Sequence, residues 1–240
     1  MSKNNRSKAL SKLIILAFVL FVPGFLYILV NRMGSNEYAK LPVYGEKVLS
    51  GEMKRVMGRE IPDTVFHQLA PVDFINQKGQ EVTFLGQDST ITVAHLFYSN
   101  DQGLSKQLIS DMKKIAHRFR EISHVTLFSI SVDSLDGAKE MTDFLGEDIS
   151  KVNPRWHAVS RPNVDIFSYA REDMLLEASP FPGEQDRFLI SNHMMLIDSE
   201  RRIRGFYDIS LRTELDRLED EIKVQIVEEI RNHPLKVERK

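Results

Sequence analysis

"VAHLFYSNDQGLSKQL", residues 93–108, decides how this chain is read. The run from Ile91 to Tyr98 is apolar and rich in β-branched and aromatic residues, as a buried strand requires. A short polar loop follows it. From there Leu104, Leu108, Met112, Ile115, Ala116 and Phe119 recur every three or four residues, which predicts a helix with one core face. "HVTLFSISVD" (124–133) is again a strand pattern, and "SLDGAKEMTDFLGE" (134–147) is predicted helical, with Ser134 or Asp136 as its cap. Strand, helix, strand, helix implies parallel strands joined by right-handed crossovers, with helices on both faces of a sheet.

Working outward, "DFINQKGQEVTFL" (73–85) places two apolar segments around Asn76-Gln77-Lys78-Gly79 and reads as a β-hairpin, with Gly79 supplying the positive φ of the turn. "RWHAVS" (155–160) is a third strand, followed by a small helix around Val164 to Ala170. "NHMMLID" and "RRIRGFYD" form a second hairpin through residues 199–202. A last amphipathic helix carries Leu211, Leu215, Leu218, Ile222, Ile226 and Ile230 on one stripe. The domain is therefore expected over 62–232, after a linker at 31–61 that mixes Gly, Pro and charge, and before a polar tail at 233–240.

With 32 basic against 34 acidic residues and a net charge of -2, the chain carries no basic field of the kind that binds nucleic acid. It contains no cysteine, which excludes disulfides, thiolate metal sites and thiol redox catalysis. At the N-terminus a basic stretch, 1–12, with Lys3, Arg6, Lys8 and Lys12, precedes the uncharged run Leu13 to Val30. At 1.5 Å per residue that run extends roughly 27 Å, which predicts an uncleaved single-pass transmembrane anchor over 13–30. By the charge bias the C-terminal domain would then lie on the outer, periplasmic side of a bacterial cell membrane.

The order of a hairpin, two β-α units, a second hairpin and a final helix resembles the thioredoxin-like fold. Within that fold, residues 41 to 230 resemble the Sco/SenC family of copper-handling proteins involved in cytochrome c oxidase assembly. "LPVYGEK" resembles the opening segment of bacteroidete-type members, and "DFINQKGQEVTF" the family's F-x-N-x-x-G-x-x-V-T hairpin. "VAHLFYS" is similar to the strand before the metal loop, and "FSISVDSLDGAKEM" to S-x-D-P-x-x-D-T. "RWHAVS" is similar to W-x-x-x-T-G, and "MMLIDSERRIRGFYD" to L-x-D-x-x-G-x-I-R-G-x-Y-D. The resemblance implies a central sheet flanked by helices with an N-terminal β-hairpin extension. It further implies a metal site of two cysteines in a C-P-x-x-C-P loop plus one histidine.

Laid on this sequence, the two cysteine positions correspond to Asp101 and Ser105 and the histidine position to Ile190, so all three ligands are replaced. Gln102 and Lys106 stand where the loop prolines would be. Asp101, three residues ahead of a helix, is expected to cap it. Ser105 is expected to be a solvated serine; as a nucleophile it lacks a base, an oxyanion hole and a G-x-S-x-G turn, and a cysteine-free enzyme built on Asp101 or Ser105 has the same deficit. His193 and Met195, on one face of their strand, with His95, are the substitute ligands a copper carrier would use. Asp133 and Asp136 are read as turn and capping residues rather than an acid/base pair. The leading expectation is a non-catalytic protein without cofactor that acts on protein partners. By resemblance, these are respiratory oxidase subunits or copper-handling proteins.

Overall fold

The computed structural model describes residues 3–33, 40–56, 59–86, 90–161, 165–184 and 186–232. It divides into two compact units, Met1–Lys40 and Leu41–Lys240. The expected tail at 233–240 lies outside the described residues.

The first unit is one helix, α1 (Lys3–Met33), with Pro23 in its interior. Among the described residues no helix is long and apolar enough to cross a membrane. This overturns the transmembrane anchor expected at 13–30, and the outward-facing membrane location that rested on it.

The second unit begins at Leu41, well ahead of Pro62, because the stretch expected to be an aperiodic linker folds into a hairpin of β1 (Lys47–Val56) and β2 (Arg59–Phe66). Its register shifts between Leu49 and Met53, around Gly51 at φ 79°, so no alternation of side chains marks it in the sequence. There follow β3 (Val72–Asn76), β4 (Glu81–Phe84), β5 (Ile91–Phe97), α2 (Leu104–Arg118), β6 (Val125–Ser131), α3 (Ala138–Leu145), α4 (Ile149–Val152), β7 (Trp156–Ser160) and α5 (Ile166–Glu172). The chain ends with β8 (Ala178–Pro180), β9 (Phe188–Ile190), β10 (His193–Ile197), β11 (Ile203–Asp208) and α6 (Arg212–Asn232).

Seven strands form the main sheet in the order β11-β10-β5-β6-β7-β3-β4. The central trio β5, β6 and β7 is parallel, and the strands on either side run antiparallel to it. This is the thioredoxin-like arrangement expected from the sequence. β8 and β9 pair separately as a small hairpin that the sequence pattern does not show.

Alternation along the strands splits the core in two. Val93 and Phe97 of β5 with Met194 and Leu196 of β10 face α2, α3, α4 and α6. Ala94, Leu96, Met195 and Ile197 face α5 and the segment around Leu69, Phe74 and Phe84. On α6 the expected stripe is buried only in its middle, at Leu218 and Ile222, while Leu211 and Ile230 remain exposed. Arg204, at 2% exposure, ties the entry of the domain to its end. It donates to the carbonyls of Leu41 and Pro42 and bridges Asp198 at 3.0 Å and Glu228 at 2.9 Å.

Candidate functional site

The carboxyl ends of β5 and β6 open into the loops 98–103 and 132–137, the edge where open α/β sheets place their chemistry. Asp101 holds the first loop by backbone hydrogen bonds: its Oδ1 accepts from Gly103 N at 2.8 Å and its Oδ2 from Ser105 N at 2.7 Å. The helix cap by position is Gly103, which has no side chain to offer, so Asp101 does that work from two residues upstream. Ser105 is fully buried rather than solvated, because its Oγ points back under the loop and accepts from Tyr98 N at 3.2 Å. Lys106 lies 4.0 Å from the centre of the Phe144 ring and donates to the Phe144 carbonyl, which pins α2 to α3.

Asp136 is the second organiser. It is 2% exposed and accepts from Ser99 N at 2.9 Å, from the Ser99 hydroxyl and from Ser131 Oγ at 2.5 Å. One carboxylate thus joins the loop after β5 to the loop after β6. The expected helix cap at Ser134 or Asp136 is corrected: α3 starts from Gly137, whose N–H donates to Glu140 at 3.2 Å, because Asp136 turns inward. Asp133 closes its own turn by accepting from Leu135 N at 2.9 Å. Burial pushes its carboxyl above the usual range, and the neighbouring Asp136 and Asp186 add to the effect. Tyr98 meets Phe188 edge to face at 5.2 Å, and burial followed by the charge of Asp101 raises its hydroxyl pKa.

The substitute copper ligands do not converge. His95 is wholly buried on the α2 face, whereas Met195 lies in the core on the opposite face. His95 is also fully engaged within a chain of hydrogen bonds. Trp156 Nε1–H donates to Ser129 Oγ at 3.0 Å, the Ser129 hydroxyl donates to His95 Nε2 at 2.8 Å, and His95 Nδ1–H donates to the Leu96 carbonyl at 3.1 Å. Burial holds this imidazole neutral, with its pKa lowered to about 4. His193 sits at the mouth of β10, its Nδ1 3.0 Å from Ser191 Oγ, opposite Asp208. The Asp208 carboxyl is held below the usual range, mainly by Ser210 and less by His193. Ile190, at the third ligand position, packs its side chain against both cores.

Among the described residues no group of three histidine, aspartate or glutamate side chains is placed to hold a metal ion. At the family's ligand positions stand a carboxylate with both oxygens taken by amides, a buried hydroxyl and an aliphatic chain. These do not fit copper, which takes soft sulfur or imidazole donors. Sequence reasoning missed Asp136, Ser99 and Lys106 as the parts that fix this rim. Strand-end serines beside an aspartate were a faint signal of the first two, and nothing marked the last.

The fold and this loop geometry define a thioredoxin-like protein with no thiol at its characteristic loop. Among solved structures, a SCO1/SenC family lipoprotein from Bacillus anthracis matches with a TM-score of 0.58 at 19% identity, over 66% of this chain and 95% of that one. BsSco, described as a member of the Sco family of cytochrome c oxidase assembly proteins, matches at 0.54 and 17%, over 67% and 94%. Copper-bound ScoI of Arabidopsis thaliana matches at 0.51 and 20%, over 68% and 98%. The Sco/SenC resemblance read from the sequence is thereby borne out in the fold. No family profile and no curated protein matches the chain.

Proposed function

We propose that this chain is a divergent Sco/SenC protein that assists the assembly of respiratory oxidase or other copper proteins by binding a protein partner, without thiol chemistry and without carrying copper itself. The observation that supports this is the state of the loop at the family's ligand positions. Asp101, Ser105 and Asp136 spend their polar atoms on backbone and serine partners inside the fold, which leaves a fixed surface and no donor set. Such a rim suits recognition, since rigid loops lose little conformational freedom on binding. It is a poor base for catalysis, because neither Asp101 nor Ser105 has a partner that would activate it.

The test is Cu(I) loading of the full chain followed by dialysis against a chelator, with metal analysis. Copper is expected to fall to background. One retained copper per chain would overturn the reading, and loss of that copper in His193→Ala would locate it. Crosslinking in native extracts should in parallel capture oxidase subunits or copper proteins through the 98–103 and 132–137 loops.

A further inference from the structure

Beside the loop of Asp101, the carboxyl ends of β6 and β7 border a cavity of about 240 Å³. Ser131, Asp133, Ser134, Arg161, Ile166, Phe167 and Phe188 contribute to its wall. A space of this size holds several waters and admits a small organic ligand. Two charged groups in this wall are unspent. Asp133 is 7% exposed, and while its Oδ1 accepts from Leu135 N, its Oδ2 accepts from none of the described residues. Arg161 forms no ion pair with a described carboxylate. Asp165, the other acid in the wall, is already committed, with Oδ1 accepting from Phe167 N and Ser168 N and Oδ2 from the Ser168 hydroxyl.

A purely anionic ligand would meet Asp133 and a purely cationic one would meet Arg161. A half-satisfied carboxylate and a guanidinium without an ion pair among the described residues select a molecule carrying both signs. The apolar part of the wall, Ile166, Phe167 and Phe188, calls for an aliphatic body. We propose that this cavity binds a zwitterion of the size of an aliphatic α-amino acid, its ammonium on Asp133, its carboxylate on Arg161 and its side chain against Phe167 and Phe188.

The test is calorimetric titration of the full chain with L-leucine, with isovalerate, which lacks the ammonium, and with isopentylamine, which lacks the carboxylate. Leucine is expected to bind, and each analogue to bind about tenfold more weakly or worse. Asp133→Asn keeps the Oδ1 acceptor of the turn and should weaken leucine binding by about tenfold, as should Arg161→Gln, which disturbs no described hydrogen bond. Absence of binding at millimolar leucine, equal affinity for leucine and both analogues, or unchanged affinity in folded Arg161→Gln would each overturn the proposal. The last variant keeps the test decisive if Asp133→Asn fails to fold.

Discussion

His95 gives the domain a stability that depends on pH in one direction only. The imidazole is fully buried, and its pKa falls from the ordinary 6.5 to about 4 because burial disfavours the cation. An unfolded chain takes up a proton at this residue near pH 6.5, whereas the folded chain does so only near pH 4. Folded protein therefore has its full stability above 6.5 and loses it as pH falls through that window. A gap of about 2.5 pH units corresponds to about 3 kcal/mol between pH 7 and pH 4. The assay is urea unfolding of the natural protein and of His95→Gln at both pH values. Other groups, His157 among them, titrate in both proteins and cancel in the comparison. The natural protein should lose about 3 kcal/mol more than the variant between the two conditions. Equal losses in the two proteins would refute the assignment of His95 as a buried neutral group hydrogen-bonded to Ser129.

Arg204→Met should destabilise the domain by about 2 kcal/mol in denaturant unfolding, because it removes the ion-pair partner of the largely buried Glu228 and frees the Leu41 and Pro42 carbonyls, while Asp198 keeps Arg202. Asp136→Ala should cost about 3 kcal/mol and also speed amide exchange at Ser99, which a loss of packing elsewhere would leave unchanged. Gly205→Ala should cost about 2 kcal/mol or more, since the added Cβ would lie 2.3 Å from the Tyr207 hydroxyl, itself donating to Glu221. Lys106→Met, which removes the cation from the Phe144 face while keeping an apolar stem, should cost less, about 1 kcal/mol.

The central β-α-β units were legible in the sequence because each buried strand is a dense apolar run and each helix carries a single stripe. The turn at Gly79 was legible for the same reason, since its φ of 73° is one that glycine adopts freely. The β1–β2 hairpin was hidden by its register shift, and β8–β9 by being three residues long on each side. The helix at the N-terminus was visible, but its reading as a membrane span was not upheld. At the site, the capping role of Asp101 followed from its distance to the helix start. The burial of Ser105 did not, because whether a hydroxyl faces water or folds under its own loop depends on where the Tyr98 amide points. The position of Asp136 likewise depends on two serines, Ser131 at the end of β6 and Ser99 in the loop after β5, the latter thirty-seven residues away.

The Asp136 knot has a kinetic corollary. Because a single carboxylate ties Ser99 to Ser131, moving either loop away from the other breaks hydrogen bonds to Asp136. On the proposed function, a partner that docks at this end would meet its final shape at first collision. Affinity differences among variants of this rim should then appear as changes in residence time, with the association rate nearly constant.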